Sequence, residues 1–271
     1  MSSTPNPSGS AIPITKPLNE RHYTTTPDLY NQWAATYDTD GNVLQKVDDS
    51  IFIERIVPLL VNERDAKPLR VLEIGCGTGR NTVKLQQFLP NGSTIYAIDV
   101  SKEMMSVAQT KIESLVASNA STCQTQTHFS LLDIQSQLSD ITSFTEANPV
   151  DIIISTLVLE HVSLSPFFSA VSTLLRPGGW AWITSMHPDI SDKTGAGFTR
   201  PDDNVRVQGV SYDYSIEDIV DAARESGLEL EGDVVETGVG VEADRAVERF
   251  GEKARKWAGW RIFLGFRFKR A

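Results

Sequence analysis

Three glycines stand within five positions where an apolar segment meets an amphipathic one. Residues 70–74 have the pattern of a buried strand, and Gly75, Gly77 and Gly79 form the turn that follows. Glycine allows a tight backbone turn and lets a ligand come close to main-chain amide groups. A predicted helix begins directly after the turn, and helix N-termini favour small anionic groups such as a carboxylate. These residues therefore predict a ligand site at the turn.

The spacing of the glycines disfavours two common nucleotide sites. A dinucleotide-binding turn has the pattern Gly-x-Gly-x-x-Gly, whereas here the third glycine comes one position early and Arg80 stands in its place. A P-loop ends in lysine followed by serine or threonine, and this turn has no such pair. A nicotinamide-dependent oxidoreductase is therefore the weaker alternative.

Two histidines follow predicted strands and could act on a substrate proton. His161 follows the fourth predicted strand and His187 the fifth. Ligands of open α/β sheets lie outside the carboxyl ends of the strands, so both are candidate catalytic bases or substrate-positioning groups. A purely structural role for each stays open. No cysteine and histidine cluster has metal-ligand spacing, and we predict no metal.

Strands and helices alternate around these residues. The predicted strands are 70–74, 94–98, 128–132, 151–155 and 180–185, and the predicted helices between them include 81–89 and 165–175. Alternation with nearly continuous apolar strands predicts an α/β fold with a parallel sheet and helices on both faces. A helix near 215–225 and strands near 228–235 and 261–268 should follow, and the last alternates apolar and polar residues like an antiparallel edge strand.

The remaining segments complete the predicted domain organisation. Residues 1–17 are rich in Ser, Thr, Pro and Gly and are predicted to be a disordered tail, with a single domain over 18–271. Helical spacing predicts an N-terminal helical cap over about 27–60. The long stretch 187–214 is interpreted as a substrate loop or lid, which a helix around 242–257 would complete.

Charge and composition favour a small-molecule partner. The net charge of −10 disfavours nucleic acid, and the one basic cluster, 261–270, has the pattern of a strand's solvent face. No apolar run of about 18 residues predicts a membrane span, and no secretory signal is recognised. Two cysteines do not form a disulfide framework, so a reducing, cytoplasmic compartment is expected. We expect a monomer or a weak homodimer.

The string VLEIGCGTG at 71–79 resembles the first motif of class I S-adenosylmethionine-dependent methyltransferases. The resemblance extends in order to AIDVS at 97–101, LLDI at 131–134, STLVLEH at 155–161 and LRPGG at 175–179, and it covers about residues 25–235. It implies a Rossmann-like, seven-stranded, mostly parallel sheet with an antiparallel last strand and a helical lid. The implied cofactor is S-adenosyl-L-methionine.

The resemblance also implies roles for individual residues. The backbone of the glycine turn would hold the methionine part of the cofactor, and Asp99 would accept hydrogen bonds from both ribose hydroxyls. Alternatives stay open in which Glu73 only orients the turn and the two tyrosines are plain core aromatics. The cofactor-binding residues that the resemblance implies are Tyr30, Tyr37, Glu73, Gly75, Cys76, Gly77, Gly79, Asn81, Asp99, Val100, Met104, Leu132, Asp133, Ile134, Thr156 and Leu157.

The acceptor is the less determined part of the prediction. Residues 155–158 lack the Asn/Asp-Pro-Pro-aromatic motif of many nucleic-acid base methylating members, and the paired-glutamate loop of arginine methyltransferases is absent too. With the negative charge, this favours a small organic acceptor. Residues 37–42 and 186–199 are similar to fungal methyltransferases of secondary metabolism, including those that S-methylate dithiols of the gliotoxin type. A thiol acceptor ranks first, with O- or N-methylation close behind, and a protein that binds the cofactor without methyl transfer is the other alternative.

Overall fold

A computed structural model describes residues 21–62, 67–118, 125–191 and 193–271. The predicted tail, 1–17, lies outside these residues. The strands in chain order are β1 (Arg21–Tyr23), β2 (Arg70–Ile74), β3 (Thr94–Asp99), β4 (Gln126–Leu131), β5 (Val150–Thr156), β6 (Leu175–Met186), β7 (Gly197–Thr199), β8 (Arg206–Gln208), β9 (Leu228–Leu230), β10 (Val235–Gly238) and β11 (Arg261–Arg270).

Helices surround these strands, and short turns of other helical types extend them. The helices are α1 (Thr26–Trp33), α2 (Val43–Ile51), α3 (Val57–Asn62), α4 (Arg80–Phe88), α5 (Lys102–Ser118), α6 (Leu138–Phe144), α7 (Leu164–Leu174), α8 (Ile216–Glu225) and α9 (Ala243–Phe250). A π-helical turn, Phe52–Ile56, joins α2 to α3, and 3₁₀ turns lie at Leu159–His161, Pro188–Ile190 and Glu252–Trp257.

The central sheet has the order β10-β11-β6-β5-β2-β3-β4, and β9 also pairs with β11. The pairs from β4 to β6 are parallel, whereas β11 is antiparallel to β6. The predicted α/β fold, mostly parallel with an antiparallel last strand, is thus confirmed. The last strand does not form the edge, however, because β9 and β10 both pair along its far side.

The outermost sheet position is divided between two short strands. The sequence predicts one strand over 228–235, but β9 pairs with one end of β11 and β10 with the other. Gly232 lies between them with a φ of +80°, a left-handed conformation that ends regular strand geometry. In the described part of the chain, the sheet therefore contains eight strands in seven positions.

The middle of the sheet is buried on both faces. Ile153 of β5 belongs to one core with Phe168 of α7, while Ile152 and Ile154 belong to a second core with Phe52 of the π-helical turn. Successive strand residues point to opposite faces, so consecutive isoleucines supply both cores. Helices therefore cover the two faces of the sheet, as predicted.

The N-terminal helices begin where polar side chains cap them. The Thr25 hydroxyl accepts the Asp28 amide at the start of α1, and the Asn42 side chain accepts the amides of Leu44 and Gln45 at the start of α2. Serine, threonine and asparagine are favoured at this position because they satisfy amides that have no partner inside the helix. Within the segment predicted as a cap, 27–60, the second helix therefore begins at Val43.

A second, small sheet combines two strands of the segment interpreted as a substrate loop with β1. β7 pairs antiparallel with β8, and β1 pairs parallel with β8. Phe198 and Val207 of this sheet form a third core with Leu29, Trp33 and Met104. The sequence analysis predicted no strands here, because three-residue strands carry too little periodicity to detect. Within the described ranges, no helix combines the length and apolar content needed to cross a membrane.

Candidate active site

The glycine turn folds back against β3. The amides of Gly75 and Cys76 donate to the Ile98 carbonyl at 2.8 and 3.0 Å, and the three glycines have φ values of +72°, +54° and +80°. A Cβ on Gly75 would lie 2.3 Å from Val158 Cγ2, so only glycine fits there. A Cβ on Gly77 would meet no protein atom within 4 Å. The turn is thus packed at Gly75 and open at Gly77.

Asp99 fastens the open part of the turn. Its Oδ2 accepts the Gly77 amide at 2.7 Å and its Oδ1 accepts the Ser101 amide at 2.7 Å. Burial raises the pKa of the Asp99 carboxyl, while these two backbone donors act in the opposite sense. Each carboxylate oxygen can accept more than one hydrogen bond, so both retain capacity for a ligand.

A cavity of about 280 Å³ lies beside this turn. It is bounded by the turn, the end of β3, the segment after β4, the end of β5 and helix α1. The predicted cofactor-binding residues that line it are Tyr30, Tyr37, Gly75, Gly77, Asp99, Val100, Met104, Leu132, Asp133, Ile134, Thr156 and Leu157. The structure therefore brings most of the predicted set together around one space.

Four predicted residues lie behind the turn instead: Glu73, Cys76, Gly79 and Asn81. Glu73 accepts the Thr82 hydroxyl at 2.6 Å, and burial raises its pKa to about 7. Asn81 donates to the Thr156 hydroxyl at 2.9 Å, and Cys76 is packed in a hydrophobic core. A Cβ on Gly79 would lie 2.9 Å from the Ala108 side chain. None of the four lines the cavity beside the turn, so the side chains of Glu73, Cys76 and Asn81 and the backbone of Gly79 support the turn from behind.

A second cavity, of about 460 Å³, adjoins the first. Both are lined by Tyr30, Tyr37 and Leu157, so these side chains form a wall that the two spaces share. The second cavity also reaches the residues around β7, Arg206 of β8 and the 3₁₀ turn Glu252–Trp257. Both segments that the sequence predicted around the substrate, 187–214 and the helix around 242–257, contribute residues to this cavity, but Arg206 was not singled out as one of them.

The shared wall belongs to an aromatic cluster. Tyr30 and Tyr37 meet edge to face with ring centroids 5.9 Å apart, and Trp33 stacks on Phe198 at 5.4 Å. Burial raises the pKa of both tyrosines, so their hydroxyls stay protonated at neutral pH. Helical spacing over 27–37 predicted Tyr30, Trp33 and Tyr37, although α1 ends at Trp33. Phe198 comes from the small sheet, which the sequence did not predict.

His161 lines the first cavity and contacts the shared wall. Its Nε2 lies 2.9 Å from the Tyr30 hydroxyl and its Nδ1 lies 3.2 Å from the Val210 carbonyl. A carbonyl only accepts, so we assign the ring proton to Nδ1, which leaves Nε2 to accept the tyrosine proton. Burial lowers the pKa of His161 to about 4, which keeps the ring neutral at physiological pH.

His187 has a different environment. Its Nδ1 accepts the Asp189 amide at 3.0 Å, which leaves Nε2 to donate to Glu236 at 3.1 Å. The side chain is 2 % exposed and lines neither of the two cavities. Both ring nitrogens of His187 are thus engaged, one in capping a 3₁₀ turn and the other in joining that turn to β10. The structure does not bring the two predicted histidines together.

An ion-pair network that the sequence analysis missed supports the shared wall. Asp48 is fully buried and accepts Arg80 Nη2 at 2.7 Å and the Thr184 hydroxyl at 3.0 Å. The Thr184 hydroxyl accepts the amide of Leu157, whose φ of +57° is unusual for a leucine. Burial alone would lower the pKa of Arg80, but Asp48 and its neighbour Asp49 outweigh it and raise the pKa. One feature of the sequence could have revealed this network, namely an aspartate at an inward-facing position of a predicted helix.

Comparison with known proteins assigns a family to this arrangement. A family model described as a methyltransferase domain matches residues 72–183. An uncharacterized methyltransferase of Emericella nidulans is 30 % identical over 261 residues, which cover 90 % of each chain. The chain belongs to the class I S-adenosylmethionine-dependent methyltransferases. An uncharacterized methyltransferase of Bacillus mycoides is 31 % identical over 174 residues, or 61 % of this chain and 71 % of that one.

Solved structures agree on the fold of this methyltransferase. A magnesium protoporphyrin IX methyltransferase from Synechocystis with bound SAM has a TM-score of 0.58 at 16 % identity and covers 90 % of this chain and 95 % of that chain. A methyltransferase from Clostridium acetobutylicum has a TM-score of 0.55 at 18 % identity, covering 89 % and 99 % of the two chains. The family's methyl donor is S-adenosylmethionine, as the sequence predicted.

Proposed function

We propose that the cavity beside the glycine turn holds S-adenosylmethionine and that the adjoining cavity holds a small organic methyl acceptor. The observation that carries this proposal is the shared wall of Tyr30, Tyr37 and Leu157 between the two spaces. Because the same side chains line both spaces, a reactant in each would meet the other along this border, and alignment of reactants supplies much of the rate in such displacements. When bound, the cofactor supplies an electrophilic methyl group on a sulfonium.

The residues of the first cavity fit this cofactor. Gly77 leaves open the volume that a Cβ would fill, so a ligand can lie against the main chain there. Asp99 retains acceptor capacity for two hydroxyl groups. Val100 and Met104 offer apolar contact for a base, and Tyr30 and Tyr37 offer aromatic faces that attract a sulfonium by about 0.5–2 kcal/mol.

Tyr30 and His161 provide a route for the acceptor's proton. Tyr30 lines both cavities, and its hydroxyl donates to His161 Nε2. As the acceptor loses its proton to the Tyr30 oxygen, the tyrosine proton passes to His161, which becomes an imidazolium. The bound cofactor would supply the methyl carbon to the acceptor's electron pair and would keep the pair of its own carbon–sulfur bond.

A thiol is the preferred acceptor atom in this proposal. Burial lowers the pKa of His161 to about 4, which makes it a weak base. A thiol ionises near pH 8.5 and a phenol near pH 10, so a weak base suits the thiol better. Phenolic oxygen and amine nitrogen are the next candidates. A product of secondary metabolism as the acceptor rests on the sequence resemblance alone.

The class of partner, the cellular location and the oligomeric state are proposed from the composition of the chain. A net charge of −10 supports a free small molecule as partner rather than nucleic acid or a membrane surface. We place the protein in the cytoplasm, as a monomer or a weak homodimer. Neither placement enters the chemical argument above.

An acceptor panel tests the proposed reaction. The full chain is incubated with S-adenosylmethionine and one thiol, one phenol or one amine at a time, and products are measured by mass spectrometry. We expect one added methyl group on the thiol and less on the phenol and the amine. Methylation of amines alone would overturn the thiol preference. Unmodified acceptors throughout would favour a protein that binds the cofactor without transferring its methyl group.

Two histidine variants test the proton route with the accepted substrate of that panel. His161→Ala should lower kcat about tenfold or more, at the weak end of general-base effects because a thiol is partly ionised already. His187→Ala should lower the melting temperature and leave kcat nearly unchanged, because that ring braces Glu236 and a 3₁₀ turn. The proton route is wrong if His161→Ala keeps full turnover at every pH. A large kcat loss in a stable His187→Ala would instead support the catalytic role predicted for that residue.

A further inference from the structure

Three cationic side chains line the second cavity. Arg206 comes from β8, and Lys253 and Lys256 come from the 3₁₀ turn Glu252–Trp257. Residues three apart are eclipsed along a 3₁₀ helix, so the two lysines lie on the same side of the turn. Three positive charges therefore face one space in a protein whose net charge is −10.

These cations have no carboxylate partner among the residues that the structure describes. No carboxylate oxygen lies within 4.0 Å of any of the three charged groups in those ranges. The Lys253 ammonium donates to the Asp40 main-chain carbonyl, and the Lys256 ammonium lies 4.5 Å from the centre of the Trp257 ring. The two lysine charges are thus held in place without being neutralised.

The acidic side chains of the same cavity are engaged elsewhere. Asp40 accepts the Trp33 indole N–H at 2.9 Å and the Asn42 amide at 2.8 Å. Glu160 is 6 % exposed and accepts the Ser185 hydroxyl at 3.2 Å. Both carboxylates therefore serve the local structure, which leaves the cations as the charges available to a ligand.

The cations also act on one another. Burial lowers the pKa of Lys256, and the charges of Arg206 and Lys253 lower it further. Burial and the neighbouring Arg21 lower the pKa of Arg206, while Asp40 acts in the opposite sense. An anion placed among these groups would relieve their mutual repulsion.

We infer that the methyl acceptor carries an anionic group, a carboxylate or a phosphate, that Arg206, Lys253 and Lys256 bind. The inference rests on the proposed function, because it takes the second cavity as the acceptor's. An arginine can hold a carboxylate or phosphate through two parallel hydrogen bonds, and lysines add positive charge beside it.

The rest of the cavity suits an apolar or planar body on the same molecule. Val43, Leu157, Met186 and Ile262 line it, and Trp257 adds an aromatic side chain. Ligand cavities commonly combine such an apolar lining with a few polar groups that fix orientation. The acceptor class is thus an organic acid with an apolar ring or chain, oriented by its charge.

A binding experiment tests this inference without requiring turnover. The full chain, saturated with S-adenosylhomocysteine, is titrated with 2-naphthoate and with its neutral counterpart 2-naphthamide, neither of which has a thiol to methylate. We expect the anion to bind about tenfold more tightly, as charge-assisted hydrogen bonds imply. Raising the ionic strength should reduce the difference, since screening weakens partly exposed charges.

Substitutions test whether the cations of the second cavity cause the tighter binding of the anion. Arg206→Gln and Lys256→Gln should each weaken 2-naphthoate binding about fivefold and leave 2-naphthamide nearly unchanged. Lys269→Gln, an exposed lysine of β11 outside both cavities, should change neither. Equal affinity for the two probes, failure of the anion to bind, or equal weakening of both probes by the cavity variants would overturn the inference. The acceptor panel tests methyl transfer separately. A failure of the proposed function can therefore be distinguished from a failure of the proposed anion binding.

Discussion

Replacing Asp48 with alanine is expected to lower the free energy of unfolding by about 3 kcal/mol, the low end of the range for breaking a buried ion pair. Asp48 is fully buried and holds both Arg80 and the Thr184 hydroxyl. Its loss leaves one guanidinium nitrogen without its carboxylate, while Asp49 still pairs with the other at 2.7 Å. For a chain of this size the melting temperature should fall by about 6–12 °C.

Asp48→Ala should also affect the proposed cofactor site. Thr184 connects Asp48 to the amide of Leu157, and Leu157 belongs to the wall that both cavities share. We therefore expect Asp48→Ala to weaken S-adenosylhomocysteine binding even at temperatures where the protein is folded. Thermal denaturation and calorimetry at low temperature measure the two effects separately.

Asp221→Ala is the matched control for Asp48→Ala. Asp221 also pairs with an arginine, Arg224, at 2.6 Å, but both side chains are more than half exposed. Exposed pairs contribute about 0–1 kcal/mol, so this variant should change the melting temperature little. If the melting temperature falls by a similar amount in both variants, burial is not what makes the Asp48 ion pair important for stability.

Replacing Gly77 with alanine is expected to weaken S-adenosylhomocysteine binding by about ten- to a hundredfold, the size of effect that overpacking by one methyl group produces. The new Cβ would meet no protein atom within 4 Å and would stand in the space beside the turn. The φ of +54° adds a backbone cost of about 1–2 kcal/mol to folding. Calorimetric titration measures the affinity.

Gly232→Ala separates the backbone cost from the effect on the ligand. Gly232 has a φ of +80°, its added Cβ would also meet nothing within 4 Å, and it lines neither cavity. Both variants should lose comparable stability, but only Gly77→Ala should lose affinity. If Gly77→Ala binds the ligand as tightly as the wild type, the cofactor does not lie against this part of the turn.

Much of the sheet could be predicted because its strands carry strong local patterns. The strand Arg70–Ile74 was predicted at its observed bounds, since an apolar run ends there in a glycine turn. Three consecutive isoleucines marked β5, which is buried on both faces. The residues around the first cavity were predicted from the resemblance of their motifs to a methyltransferase family, and parallel strands place the ends of those motifs at one edge of the sheet.

The segments around the second cavity, 187–214 and 242–257, were predicted, but most of its individual residues were not, because separate parts of the chain create it. Arg206 and Phe198 lie in three-residue strands whose pairing depends on β1, far away in sequence. The link from Arg80 through Asp48 to Thr184 joins three elements that no local pattern relates. His187 follows a strand just as His161 does, and only packing distinguishes their surroundings.

Calorimetric titration with S-adenosylhomocysteine tests most directly the claim that the cavity between the glycine turn and Asp99 holds the cofactor. The wild type should bind one equivalent, and Asp99→Ala should bind more weakly by about 1.5–3 kcal/mol, the contribution of hydrogen bonds to a charged group. NAD should give no comparable heat. The absence of binding by the wild type, tight NAD binding, or an Asp99→Ala affinity equal to that of the wild type would contradict the claim.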